Sequence, residues 1–493
     1  MMFVGALYNP RIEASDNGTD WREVIELKTE ETTATYSFAP VTARYFRIDF
    51  APRKGVGVLQ MGTPAPGLAM GGDMFAGMAK SLTGKPLTVG DLRLFGEARV
   101  DRYETKAGFT IAQDYYALTG PQDGASGIAP GSVIDLTDRM KPDGSLDWTP
   151  PKGQWRVLRF GYRRLGTTNP PAPPEATGLE VDKFDGEAVE RYLEHYIGMY
   201  RDASGGLIGK RGVQAILTDS IEVGAANWTP QMIAQFKRLR GYDPTPWMPA
   251  LAGVLVGSRA DSDRFLYDYR RTLADLMSSE HYGTVARVAR KTGLRAYGEA
   301  LEYHRPSLGD DMTMRSHADV PMAAMWTHSR ADGPKLTYLA DIKGAASVAH
   351  IYGQNLVAAE SMTASMNPWN YGPADLKRVI DLEFVTGVNR PVVHTSVHVP
   401  TDDRKPGLSL FIFGQYFNRN ESWAELAKPW VDYMARNALM LQQGRNVADV
   451  GYFYGEEAPL TGLYGDKAVA DAPTDRAWDF VSADALTSAM IND

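Results

Sequence analysis

The stretch QAILTDSIEVG, residues 214–224, runs from an apolar strand straight into two carboxylates, and its reading decides the fold. Ala215, Ile216 and Leu217 form a short apolar run of the kind that parallel sheets bury on both faces. Asp219 and Glu222 follow at its carboxyl end. A helix opens soon afterwards at Thr229-Pro230, a capping residue followed by proline at the first helical position. Its apolar residues Met232, Ile233, Phe236 and Leu239 share one face, and Gly241 ends it.

The same strand–helix alternation continues outward from this point. A helix over 186–202 precedes the strand, and a long helix from Ser262 to Lys291 stops at Gly293 and leads into a strand from Leu294 to Glu299. After a long polar loop, a helix near 338–352 stops at Gly353 and leads into a strand from Asn355 to Glu360. A helix opening at Pro373 leads into Val388–His394, and one near 424–442 leads into Val447–Tyr454. Such alternation implies parallel strands joined by crossover helices. Four of the strands end in an ionisable residue, namely Asp219, Glu299, Glu360 and His394. Barrel enzymes place their chemistry at that end. About five or six such units fall short of the eight that a closed (β/α)8 barrel needs. The pattern therefore predicts either an incomplete TIM-type barrel or an open doubly wound sheet.

Towards the N-terminus the period changes to two. Trp21–Leu27, Thr35–Phe38 and Ala43–Phe50 largely alternate apolar with polar residues, as half-buried strands do, and predict a β-sandwich over residues 1–105. The Gly/Met/Pro-rich stretch from Gly55 to Lys85 lacks periodicity and reads as a long loop. Residues 106–176 read as a β-rich connection, with strands at Val133–Thr137 and Trp155–Tyr162 and a proline-rich NPPAPPEA at 169–176. The barrel region then spans 177–445, and 446–493 hold its last strand and the start of a following domain.

Composition narrows the function. The 493 residues, 44% hydrophobic and 23% charged, suit two to four ordinary globular domains. A net charge of −8 argues against a general nucleic-acid surface. No cysteine is present, so thiol nucleophiles, zinc–thiolate sites and disulfides are excluded, and carboxylates, histidines and aromatics are left to carry chemistry. No apolar run approaches the ~20 residues of a membrane span. The opening MMFVGALYNPRIEAS has neither a basic n-region nor a sustained apolar core; it does not read as a signal peptide, and looks like a chain entered in its middle.

Asp219 and Glu222 suit the carboxylate pair of a glycosidase, in which one acid protonates the leaving oxygen and a second serves as base or nucleophile. A strand-end carboxylate also caps turns, and the motif alone leaves both readings open. Glu299 and Glu302, with His304 beside them, form a second acidic cluster, and Glu360 a third. His394 and His398 suit hydrogen bonds to sugar hydroxyls, although each also fits a satisfied core histidine. Trp228, Trp326, Trp369, Tyr371, Trp423 and Trp430 follow the acids in sequence, and such rings either stack on sugars or fill the core; Trp369, in MNPWNYGP, is the best ligand candidate and Trp326 the next.

The runs TGLEVDKFD (177–185), TDSIEVG, NWTPQMIAQFKRLRGYDPTPWMPALAG, ADVPMAAMW (318–326), SVAHIYGQNLVAAESMT and DLEFVTGVNRPVVH together resemble glycoside hydrolase family 106, the α-L-rhamnosidases. The resemblance runs through most of residues 90–455. It implies a (β/α)8 catalytic barrel with inserted and appended β-domains, and inverting hydrolysis of terminal α-L-rhamnose from an oligosaccharide, polysaccharide or glycoside. By position, Glu222 corresponds to the general acid and Glu360 to the base that activates water. The resemblance also implies a calcium ion holding sugar hydroxyls, with Glu299 and Asp319 as ligands and Asp219 as a further contact, and a bacterial periplasmic or secreted setting. It departs at Ala324, near which the family pattern carries a glutamate, and this leaves two alternatives open: a related glycosidase of other sugar specificity, or a non-catalytic carbohydrate-binding protein.

Overall fold

The structure is a computed structural model that describes residues 8–27, 33–52, 89–112, 115, 117–118, 120–121, 123–169, 172–300, 308–364, 369–408, 410, 414, 417–453, 455 and 472–488. The loop expected over 55–85, and Glu302 and His304, lie outside this set.

Its centre is a parallel sheet of five strands in sequential order: β4 (Ala215–Thr218), β5 (Arg295–Gly298), β6 (Val320–Trp326), β7 (Ala358–Thr363) and β8 (Arg390–Val393). Helices join them, as the crossover rule requires. The helix Gly186–Ala203 starts on the side chain of Asp185, which accepts from the amides of Glu187 and Ala188. The helix Met232–Arg240 ends at Gly241 and the helix Leu336–Tyr352 at Gly353, both left-handed, the conformation that a helix C-terminus most easily reaches through glycine. The long helix expected from Ser262 to Lys291 runs from Arg259 to Lys291, with a π-helical segment at Met277–Gly283.

Two expectations about strands are corrected. The strand after Glu299 is β6, inside a segment that reads as loop, and all seven of its residues are buried. The stretch expected as a last barrel strand forms β9 (Val450–Phe453), which pairs in parallel with β10 (Trp478–Val481) in a separate two-stranded sheet. β4 and β8 are thus the two edges of the central sheet. A hollow of about 560 Å³ opens between them, lined by Ala215 and Leu217 of one edge, Pro391 and Val392 of the other, and Met434 and Ala438 of the helix Lys428–Leu441.

At the N-terminal end, β1 (Tyr8–Ser15) pairs antiparallel with β2 (Arg22–Glu26) and β3 (Tyr45–Pro52), giving the order β2-β1-β3. This is an antiparallel sheet; a second layer facing it, as a sandwich needs, is not formed among the described residues. The segments 133–137 and 155–162 carry strand-like alternation but join no ladder, and Val157 and Tyr162 are exposed. No described helix is long and apolar enough to cross a membrane.

Candidate active site

Asp219 and Glu299 are the first residues beyond β4 and β5, and Glu360 is the third residue of β7. One carboxylate oxygen from each lies within 4.8 Å of the other two. β4 and β7 are three strands apart, which is ~14 Å in a flat sheet at the usual strand spacing. Convergence therefore requires a curled sheet with these side chains on its concave face. Glu299 is buried, Glu360 half-buried and Asp219 exposed, so the cluster runs from the interior out to solvent.

The loop after β4 carries Glu222 on the same side. Ile221, 5% exposed, plugs into a hydrophobic cluster with Phe265, Tyr269 and Tyr282, and its neighbours Ser220 and Glu222 are turned outward. Ser220 donates from its amide to Asp219 Oδ1 at 2.8 Å and from its hydroxyl to Glu222 Oε1 at 3.1 Å. The Ala300 carbonyl ties this loop to the end of β5: it accepts from the Ile221 amide at 3.4 Å and from the Tyr282 hydroxyl at 2.9 Å. Tyr282 reaches it from the π-helical segment, a distortion frequent near functional sites. Burial pushes the Tyr282 phenol well above its ordinary value, so it stays a donor.

Around Glu360 the ladder is irregular. Met325 pairs with Ser361 but Trp326 pairs with Thr363, leaving Met362 as an extra residue at φ 67°, in the left-handed region. Thr363 Oγ1 lies 2.5 Å from Glu360 Oε1 and 3.1 Å from His394 Nδ1, while His394 Nδ1 is 3.8 Å from Glu360 Oε1. Ser361 points to the other face, where its hydroxyl meets Glu383 of the helix Pro373–Thr386 at 2.6 Å.

A buried charge group stands behind the cluster. Arg315, 1% exposed, pairs with Asp311 at 3.1 Å and with Asp341, and donates to the Met322 and Asp341 carbonyls at 2.8 and 3.0 Å. Burial pushes both aspartates up against the pull of the guanidinium, and the charges of Asp311, Asp341 and Glu299 hold Arg315 protonated. Ala324 is register-paired with Glu360 and shares its face; its amide donates to Asp341 Oδ2 at 2.8 Å. A methyl group thus stands beside Glu360 at the position where the resemblance leads one to expect an acid.

Several sequence-level assignments change. Asp319 immediately precedes β6, at its amino end, where it binds Arg290 at 2.9 Å and accepts from the Ala296 amide at 2.9 Å. It is a helix–strand clamp away from the acidic cluster, and not a metal ligand with Glu299. Trp326 is 6% exposed and packed in a core cluster with Tyr338, Met362 and Tyr371, which leaves too little ring face for a sugar. His394 is brought to Glu360, but His398 is exposed on the following loop, and among the described residues no hydrogen bond joins it to either. Trp369 is half-buried in the turn before the helix Pro373–Thr386.

Sequence reading missed Thr363, Arg315 and His328. His328, two residues beyond β6 and 7% exposed, takes a hydrogen bond from Arg378 at Nδ1 over 2.9 Å, so its ring proton sits on Nε2. Burial lowers its pKa and keeps it neutral, with a buried Nε2 that has no hydrogen-bond partner among the described residues. A histidine just past a strand end is the signal that was available.

Residues 13–493 match the α-L-rhamnosidase family, glycoside hydrolase family 106. The chain is 62% identical to a solved rhamnosidase from Novosphingobium sp. PP1Y, with a TM-score of 0.88 over 100% of this chain and 44% of that one. It is also 40% identical over 331 residues, 67% of this chain and 27% of the relative, to a protein described as a putative beta-glucuronidase from Formosa agariphila. The chain thus spans less than half the length of either. With the family match covering nearly every residue, the chain belongs to glycoside hydrolase family 106, the α-L-rhamnosidases.

Proposed function

We propose that this chain carries the catalytic centre of an inverting glycosidase that releases terminal α-L-rhamnose from rhamnose-containing glycans or glycosides. The convergence of carboxylates from β4, β5 and β7 supports the reading, because chemistry on a glycosidic bond needs acids meeting from different strands. Glu222, on an outward-facing loop beside Asp219, is the acid that protonates the leaving oxygen. Glu360, anchored in the sheet, is the base that takes a proton from the attacking water. Asp219, Glu299 and His394 hold sugar hydroxyls around it, and Trp369 offers a ring near the mouth.

Calcium is part of this proposal. Two oxygens bound to one calcium at ~2.4 Å each lie at most ~4.8 Å apart, and carboxylate oxygens are the donors this cation takes. Asp219 and Glu299, with Glu360 adjoining, fit that requirement; Asp319 does not. When bound, the ion supplies positive charge that fixes vicinal sugar hydroxyls and offsets the repulsion among the acids. We also read β4–β8 as five strands of an eight-stranded barrel: both edge strands end open beside an apolar hollow, an arrangement that a closing set of strands would cover.

A second reading, a glycosidase of other specificity, is favoured by the relative described as a beta-glucuronidase. A uronate would bring its own negative charge to a site lined by three carboxylates, whereas rhamnose is neutral, and the charge balance supports rhamnose. Incubating the full-length protein with aryl glycosides of both sugars tests this. Rhamnose release, β-anomer first by NMR, with Glu222→Gln and Glu360→Gln each lowering kcat by at least ~100-fold, is the expected outcome. An α-anomeric first product refutes inversion, and unchanged rates in the variants refute the assignment.

A further inference from the structure

We propose that Thr363 is a positioning residue, which holds Glu360 for proton abstraction through a relay from His394 to Thr363 to Glu360; this rests on the reading of Glu360 as base. A threonine hydroxyl has one proton to give and lone pairs to accept with. Thr363 Oγ1 lies within hydrogen-bond distance of both Glu360 Oε1 and His394 Nδ1, at 2.5 and 3.1 Å. At 3.8 Å the histidine and the glutamate do not bond directly. An ionised base only accepts, so the Thr363 proton goes to Glu360, and Oγ1 then accepts from a proton on His394 Nδ1. One oxygen of Glu360 is thereby tethered by the Thr363 hydroxyl.

The backbone indicates that this contact is built rather than incidental. In a regular strand, residues 360 and 363 point to opposite faces, since alternate side chains alternate sides. The extra residue Met362, at φ 67°, restores Thr363 to the face of Glu360. A buried, non-glycine side chain in the left-handed region is strained, and such strain persists where the surroundings enforce it, often at functional sites. A straight β7 would relieve Met362 but turn the hydroxyl away from the carboxylate. The backbone also packs closely on His394: Gly414, at φ 91°, approaches so closely that a Cβ there would meet Thr395 Cγ2 at 2.8 Å and His394 Nδ1 at 3.6 Å.

The test compares Thr363→Val, which keeps the shape without the hydroxyl, with Thr363→Ser, which keeps the hydroxyl. Full-length wild type, both variants and Glu360→Gln are assayed on p-nitrophenyl α-L-rhamnoside. Thr363→Val is expected to lower kcat roughly 10- to 100-fold with KM little changed, the loss typical when a supporting hydrogen bond to a reacting group is removed. Thr363→Ser is expected to keep kcat within about threefold, a rescue that a packing role for the methyl group would not give. Should Thr363→Val fail to fold, Thr363→Ala, which also lacks the hydroxyl, takes its place with the same fall in kcat expected. Wild-type kcat in Thr363→Val, or an equal fall in Thr363→Ser, overturns the relay while an inactive Glu360→Gln leaves the base in place. An active Glu360→Gln overturns the base itself and this role with it.

Discussion

Glu383 gives the sharpest test of the packing behind the site. It is fully buried in the helix Pro373–Thr386 against the outer face of β7, and its Oε1 has no partner among the described residues. Burial pushes the carboxyl well above 4.5, and the Ser361 hydrogen bond pulls it back less. Ser361 Oγ lies 2.6 Å from Glu383 Oε2 and 3.1 Å from the Ala359 carbonyl, two acceptors for one hydroxyl proton if Glu383 is ionised. Protonation resolves this: the acid donates to Ser361, and Ser361 donates to Ala359. The unfolded chain therefore loses this proton at a lower pH than the folded one. Between the ordinary value and the raised one, the folded state binds more protons, and stability falls as pH rises, by about 1.4 kcal/mol per pH unit. Glu383→Gln keeps the volume and an amide donor to Ser361 without the titration. Urea unfolding of both proteins at pH 5, 6 and 7 should show the variant gaining on wild type by about that slope. Parallel curves, or no infrared band of a protonated acid that disappears in Glu383→Gln, would refute the reasoning.

Three further outcomes are expected. Arg315→Met leaves Asp311 and Asp341 buried without their cation and should cost about 3–5 kcal/mol, seen as a large fall in melting temperature; a shift of a degree or two would contradict the packing. Gly414→Ala puts a Cβ at 2.8 Å from Thr395 Cγ2 on a left-handed backbone and should cost at least ~1–3 kcal/mol and lower turnover through His394, read from melting and kcat together. Chelation of the full-length protein should lower its melting temperature and added calcium should restore it, a response that Glu299→Gln weakens; indifference to calcium would remove the metal from the proposal.

The strand–helix alternation was legible because each unit carries its own local signal. Gly241 and Gly353 end helices where they stand in the sequence, and Asp219, Glu299 and His394 do follow strands directly. β6 was not legible: VPMAAMW is buried on both faces, so it lacks alternation, and proline near its start reads as a breaker. β7 was placed to end at Glu360 but continues to Thr363, since a bulge at Met362 has no residue signature of its own. The π-helical segment at Met277–Gly283 likewise follows an ordinary helical pattern. Asp319 has the right chemistry for a metal ligand and lies in a motif of the family; only its partner Arg290, from the helical stretch that ends at Lys291 ahead of β5, shows that its carboxylate is engaged elsewhere. Trp326 shows the same difficulty, since nothing local separates a ring that fills a core from one that faces a sugar.

The places where regularity fails are the places where the site is assembled. β5 pairs with β6 at Val320 and Pro321, and among the described residues no ladder continues along β6 on this side, while its buried amides and carbonyls still require partners. Arg315 supplies one to the Met322 carbonyl and Asp341 one to the Ala324 amide, so a side-chain charge group continues the ladder where β5 has stopped. Just past the end of β5, Glu299 turns into the concave face beside Asp219 and Glu360. On the opposite side of β6, the bulge in β7 turns Thr363 towards the same point. The two devices differ in what they carry. Arg315 satisfies the backbone of β6 and neutralises charge behind Glu299, so its loss must lower stability and activity together. Among the described residues the Thr363 hydroxyl bonds the base and His394, so its loss should lower turnover while the melting temperature stays close to wild type, and the contrast between the two variants separates building the sheet from orienting the reaction.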